Sequence, residues 1–386
     1  MKKITNKQRQ RDVIRSLKHR TLRSVELESR SSGEETHSKR GAVDWVRSNR
    51  WVDYAKSKGL PISVNKKTQG VTIVLPETMN FSSHYEETAR IMMAMRRLSK
   101  APRAVKKAYK LASVDFSYLR NISSSAALVL TAELSNWEDN CPSSLKKNDT
   151  WDPDIQERFI ELGFFDLFKN NPFKDRNEVS NASIRHVRYI KGVSANTSAH
   201  RSLRASLKEI VGEDIKKYTF LKSGLDEAIT NVGHHAYPDI PEDKTLHACE
   251  GKYWYLTGGY DTKTRYLKVS FYDQGVGIPN TLPNSTLFER ATAFLSKFPL
   301  VDQKNDELLI TAAMKAGRTS TGEDDRGEGL NDFLTFIKER QDGYLSILSR
   351  KGLYKYSIED GRVKEKSERL TLPIEGTLII WRTKLG

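Results

Sequence analysis

The chain has 386 residues, 29% charged and 37% hydrophobic, with a formal net charge of +15, which suits two or three soluble domains able to bury a core. No apolar run approaches the roughly 20 residues a bilayer span needs, and the opening MKKITNKQRQ has charge with no apolar stretch behind it, so the expectation is a cytoplasmic protein without a membrane partner. Only Cys141 and Cys249 occur, without metal-ligand spacing, which argues against a disulfide framework or a zinc site.

Residues 1–50 hold fourteen Lys and Arg against six Asp and Glu, so over half of the excess charge sits at one end. Such a basic arm, partly disordered, is a candidate for contact with nucleic-acid phosphates, each contact steepening the log–log salt dependence of binding by about 0.9. A solubilising tail or a protein-docking arm is the alternative. From Trp45 to Gly59 aromatic and aliphatic residues recur at helix-compatible spacing.

Residues 51–173 read as one α/β domain. Val71–Phe81 is strand-like, and His84–Leu98 is helical with Ile91, Met92, Met95 and Leu98 as its apolar face. A short strand ends at Asp115, and Ser123–Ser125 can cap a helix whose Ala127, Leu130, Leu134 and Trp137 face a core. Asp149–Phe173 is expected to form one amphipathic helix with an aromatic end. The polar run Lys174–Ser183 leads to a linker assigned to 174–194, and the second domain is assigned to 195–386. Leu203–Val211 and Asp214–Phe220 suit a leading helix pair.

Three motifs follow. In Leu221–Tyr237 the residues Leu225, Ala228, Ile229, Val232 and Ala236 recur at helical spacing, so Glu227, Asn231 and His235 share one stripe. A carboxylate there can polarise a water or hydroxyl, and the amide oxygen of Asn231 is a hard ligand suited to Mg²⁺. In Tyr266–Pro279, alternating Leu267, Val269 and Phe271 describe a half-buried strand that delivers Asp273 to a turn containing Gly275, Gly277 and Ile278. Glycines permit close backbone approach to a ligand, and a carboxylate at a strand end can accept from an exocyclic amine. In the third, Gly327 and Gly329 precede Leu330, Phe333, Leu334 and Ile337, a glycine loop opening a helix whose free N–H groups suit phosphate.

The intervening Pro279–Arg326, with a helical stretch Asp306–Ala316, reads as a mobile lid. Its cations Lys315, Arg318 and Arg326 are candidates for a γ-phosphate. A solvated basic surface is the alternative for each.

These motifs resemble the histidine kinase-like ATPase superfamily, also called GHKL, over residues 195–386. The resemblance implies a Bergerat fold, an α/β sandwich with a mixed sheet and helices on one face. It also implies ATP and Mg²⁺ as cofactors. Glu227 is then the general base and Asn231 the metal ligand, with Asp273 binding adenine and Gly275, Gly277, Gly327 and Gly329 serving phosphates and lid. Gly376-Thr377 matches the family's last box, where the threonine hydroxyl supports Asp273 or a water beneath adenine.

The strand, turn, serine cap and helix of the middle region resemble a STAS domain, the fold of anti-sigma-factor antagonists, whose turn serine is phosphorylated by a GHKL kinase. Ser124 matches that phosphoacceptor, but Ser123 and Ala126 replace the family's Asp and Gly, and helix capping is the alternative role. No long helical hairpin carries a phosphoacceptor histidine.

The function expected from both resemblances is Mg²⁺-dependent ATP binding with slow hydrolysis, a nucleotide-driven switch in bacterial regulation or phage defence with a protein partner or a second copy. The alternatives are a protein serine kinase acting on a STAS domain and a nucleotide sensor in a nucleic-acid complex.

Overall fold

A computed structural model of the chain describes residues 40–99, 108–139, 151–168, 171, 173, 183–193, 205–212, 219–237, 252–284, 288–299, 302–317 and 329–385. The protein is mixed α/β, and the described residues divide into two compact units, within 30–179 and within 180–386. Residues 1–39, most of the basic arm, lie outside the described residues. Among the described residues no helix is long and apolar enough to cross a membrane.

The first unit opens with helix α1 (Arg40–Ser57), whose Asn49 side chain accepts the Tyr109 N–H at 2.8 Å. Strand β1 (Ile62–Asn65) forms a hairpin with β2 (Gly70–Val74), and β2 pairs in parallel with β4 (Lys110–Asp115). The short β3 (Thr78–Met79) and β5 (Asn121–Ile122) pair in parallel as a separate sheet. The crossover between β2 and β4 carries α2 (Tyr85–Ser99), with Ile91, Met92, Met95 and Leu98 buried, the face the periodicity predicts.

Helix α3 (Ser124–Asp139) begins at a cap: the Ser123 hydroxyl accepts the Ala126 N–H at 3.2 Å, while the Ser123 N–H reaches the Met79 carbonyl at 3.0 Å. Ser124, the expected phosphoacceptor, is the first helical residue, half-buried, and takes no part in that cap.

The single helix expected over Asp149–Phe173 is divided. Asp152 caps α4 (Pro153–Glu161) with Pro153 as a ready-made first residue, and Gly163 at φ +71° ends it before a short 3₁₀ turn, Phe164–Leu167. The break lets Phe164 and Phe165 turn back onto Trp151 and Phe159. Phe116 stacks on Trp151 at 3.8 Å, so aromatic packing rather than helical continuity sets this corner.

The second unit is built on a five-stranded sheet in the order β6-β7-β8-β10-β9, with β6 (Ile184–Val193), β7 (Tyr253–Asp261), β8 (Tyr266–Asp273), β9 (Gly343–Glu359) and β10 (Arg362–Lys384). The linker assigned to 174–194 overlaps β6, which pairs with β7 from Ile184 to Val193; residues 174–182 lie outside the described residues. The sheet expected to be mixed is antiparallel at every described pairing, because the hairpins β7-β8 and β9-β10 lie side by side with β8 against β10.

One face of the sheet carries α6 (Thr219–Asn231), α8 (Phe288–Leu295), α9 (Asp306–Gly317) and α10 (Gly329–Arg340), numbered after a short α5 (205–211) and a one-turn α7 (Ile278–Thr281). The core joins Leu225, Ile229, Ile310, Ala313, Leu334 and Ile337 of these helices to Leu256, Val269, Phe271, Leu345, Ile347 and Trp381 of the sheet. Full burial of each large apolar side chain contributes about 1.5–3 kcal/mol.

The stretch 279–326 expected to be a mobile lid is therefore largely core. Leu295 of α8 and Leu309, Ile310, Ala312 and Met314 of α9 are fully buried, leaving 318–328 outside the described residues. The apolar side chains on α9 outweigh the polar composition that suggested a lid.

In the first unit one interaction combines burial with charge. Arg96 of α2 and Glu133 of α3 are both nearly solvent-free, and the Arg96 Nε donates to the two Glu133 carboxylate oxygens at 3.1 and 3.0 Å. Removing the cation alone, as in Arg96→Met, should cost about 3–5 kcal/mol, since a buried carboxylate is left behind. Combining it with Glu133→Leu should recover most of that loss. Urea denaturation of the single and double variants checks this; equal losses in both would show that the stranded charge is not the cause.

Candidate functional site

The site is assembled where α6 ends and β8 ends. At i, i+4 on α6, the Asn231 amide nitrogen donates to the Glu227 carboxylate at 2.9 Å. Only the nitrogen can donate to a carboxylate, so this bond turns the amide oxygen away from Glu227. Both residues are half-buried, whereas Leu225, Ala228, Ile229 and Val232 on the adjoining face are buried.

After Asn231 the helix widens into a π-turn, Val232–Ala236, where the sequence predicts a continuing α-helix. The wider turn carries Ala236 and Tyr237 onto the Asp273 loop. The Ala236 carbonyl accepts the Val276 N–H at 2.9 Å, and the Tyr237 hydroxyl accepts the Gln274 N–H at 3.0 Å while donating to the Tyr253 carbonyl at 2.6 Å. A single π-turn in an α-helix is frequent at functional sites. Here its structural effect is to lock the first motif to the second.

Close approach makes Gly275 obligatory, since a Cβ there would lie 2.3 Å from the Ala236 carbonyl oxygen. The Gly275 N–H in turn donates to the Asp273 carboxylate at 2.8 Å, fixing that side chain at the strand end.

Asp273 stands in a row that crosses the sheet. Trp254 of β7 and Thr377 of β10 are its register partners, and Ser349 of β9 is the partner of Thr377. Residues directly opposite share a face, with Cβ atoms about 4.5–5.5 Å apart. Trp254 belongs to the core under the helices, so the row faces the helical layer.

Gly376, beside Thr377, lies in a bulge where β10 shifts register between Ile374 and Thr377. It adopts φ +93°, and a Cβ there would fall 1.9 Å from the Asp273 carbonyl oxygen. The bulge carbonyls are held from both faces: Tyr272 donates to Glu375 at 2.7 Å and Ser349 to Gly376 at 3.0 Å. The Ser349 hydroxyl also accepts the Ile278 N–H at 3.0 Å and lies 3.1 Å from the Thr377 hydroxyl.

Of the residues singled out from sequence, Asp273, Gly275, Gly277, Ile278 and Thr377 meet in this one loop cluster, and Glu227 and Asn231 lie one π-turn away. Gly329 opens α10, which packs beside α6; the side chain of Leu330 is not described, and Arg318, Arg326 and Gly327 lie outside the described residues. Lys315, expected to meet a phosphate, is instead paired with Glu365 at 2.8 Å and ties α9 to the β9-β10 hairpin. Ser349 and Tyr237 were missed. Ser349 had a signal, as a hydroxyl in register with the core-facing Leu345 and Ile347; Tyr237 had none.

No family model, curated protein or solved structure matches this chain.

Two predictions test the site. Gly376→Ala meets both an unfavourable positive φ and a backbone clash, so it should destabilise this unit by about 2 kcal/mol or more, measured as a lowered denaturation midpoint. The second concerns His235, whose burial, with His234 beside it, holds its pKa below the ordinary histidine value. The folded state thus disfavours the charged ring. The stability this gives is present above the unfolded pKa of about 6.5 and is lost as pH falls toward the depressed folded pKa. His235→Gln should therefore lose less thermal stability than the native chain between about pH 8 and about pH 5.5.

Proposed function

We propose that the unit within 180–386 is a GHKL-type ATP-binding domain and that the protein is a slow, Mg²⁺-dependent ATPase used as a conformational switch. The single observation that carries this reading is the convergence of Asp273, Gly275, Gly277 and Thr377 with the end of the helix that bears Glu227 and Asn231. Residues of β8, its following loop and β10 meet in one cluster, and Glu227 and Asn231 lie one π-turn away on α6. Helices on one face of the sheet support the Bergerat fold, and the crossover between parallel β2 and β4 with a serine-capped helix supports a STAS-like first unit.

In this reading the Asp273 carboxylate accepts the exocyclic amine of adenine, and the glycines let backbone approach the nucleotide. The donor set fits a magnesium ion: with its nitrogen bonded to Glu227, the Asn231 amide oxygen is a hard donor that would hold the ion together with phosphate oxygens and waters. When bound, the ion neutralises charge developing on the transferred phosphoryl oxygens. Glu227, held by Asn231, accepts a proton from the attacking water. The first unit and a protein partner or second copy would receive the change of state. Nucleic acid contact through residues 1–50 remains part of the proposal for that arm alone.

The test follows γ-labelled ATP with the purified chain. Glu227→Gln should reduce release of labelled phosphate about 100-fold or more while leaving ATP binding intact, and Asp273→Asn should remove binding. Unchanged hydrolysis in Glu227→Gln would overturn the assignment of the base. Label retained on the protein and lost in Ser124→Ala would replace the switch by a serine kinase acting on the first unit.

A further inference from the structure

The Ser349 hydroxyl stands at the centre of three polar contacts and is fully buried. It has one hydrogen. The Gly376 carbonyl, 3.0 Å away, can only accept, so that hydrogen goes to Gly376. The Ile278 N–H can only donate, so it occupies one lone pair of Ser349. The remaining contact, to Thr377 at 3.1 Å, is then satisfied in one polarity alone: Thr377 donates and Ser349 accepts.

Thr377 has thereby committed its only hydrogen to β9. What its oxygen presents to the remaining side is lone pairs. It is the register partner of Asp273 on the same face of the sheet, and a carboxylate also presents only lone pairs. Two acceptors therefore stand side by side where β8 ends against β10, each 5–6% exposed.

We infer that Ser349 is a specificity-determining positioning residue, which fixes the Thr377 hydroxyl as an acceptor so that the Asp273–Thr377 pair selects a purine bearing an exocyclic amine over one bearing a keto oxygen at the same position. This rests on the nucleotide-binding reading above and deepens it. An amine offers two N–H groups to two acceptors. A keto oxygen meets lone pairs on both, and with Ser349 in place the Thr377 hydroxyl is not free to turn and donate to it. A site that pairs with an N–H group discriminates against an analogue offering an acceptor in its place, because a hydrogen bond is replaced by repulsion between lone pairs.

Gly277 and Gly376 support this arrangement. A Cβ at Gly277 would lie 2.8 Å from the Ser349 hydroxyl oxygen, and the bulge at Gly376 supplies the carbonyl that takes the Ser349 hydrogen. The polarity of the recognition pair is set from β9, a strand that carries none of the sequence motifs.

The test compares binding of ATP and inosine triphosphate, in which a keto oxygen replaces the 6-amine and N1 carries a hydrogen, to the 386-residue chain by calorimetric titration with Mg²⁺. The native chain should prefer ATP. In Ser349→Ala the Thr377 hydroxyl is released and can donate, so the ATP-to-inosine-triphosphate ratio of affinities should fall about tenfold or more, with inosine triphosphate retained or gained. Thr377→Val removes one acceptor while leaving the Ser349–Gly376 bond, and should lower the same ratio chiefly through ATP, which covers the case in which Ser349→Ala does not fold.

Losses of both nucleotides by the same factor in these variants would overturn the inference and mark Ser349 as structural. A native chain that binds ATP without preferring it to inosine triphosphate would also overturn it. A native chain that binds neither nucleotide would instead overturn the ATP-binding reading itself.

Discussion

The second unit depends on one close approach of two backbones, where Gly376 lies against the carbonyl of Asp273 with no room for a Cβ. That contact requires a positive φ and a bulge in β10. The bulge frees the Glu375 and Gly376 carbonyls from the regular ladder, and these are satisfied by Tyr272 on one face and Ser349 on the other. With that arrangement fixed, Thr377 falls into register with Asp273, and a polar row is completed where β8 ends.

The α6 side of the site is joined to this row by an irregularity of its own. An uninterrupted α-helix through Val232–Ala236 would direct Ala236 and Tyr237 elsewhere. The π-turn instead puts the Ala236 carbonyl on Val276 and the Tyr237 hydroxyl between Tyr253 and Gln274. Two departures from regular structure, the bulge and the π-turn, bring together what the regular elements only hold nearby. Each costs local strain or a lost ladder bond, and each is offset by buried polar groups that find partners.

Much of the element pattern was legible in the chain. The buried face of α2, the strand through Leu267, Val269 and Phe271, the serine cap ahead of α3 and the extent of α9 follow from periodicity and capping, because these are local preferences that repeat every 3.6 or 2 residues. Readings based on polarity fared worse. The Pro279–Arg326 stretch has lid-like composition, yet the small apolar residues Ala312, Ala313 and Ala316 are buried, a fact that depends on which surface lies opposite. The polar run before β6 likewise gave no sign that Ile184–Val193 pairs along β7.

Sequence alone determined which groups are available: a carboxylate and amide one helical turn apart, an aspartate at a strand end, glycines where backbones must approach, and a Gly-Thr pair near the C-terminus. Their spacing carries that information because turns, caps and strand ends are built from neighbours in the chain. Only the tertiary structure decided which way each group points and what it has left to offer. The pairing of Lys315 with Glu365, the docking of Tyr237 and the contact of the Thr377 hydroxyl with Ser349 all join residues far apart in sequence. A hydrogen bond between distant strands is fixed by register and packing, and no local pattern records it.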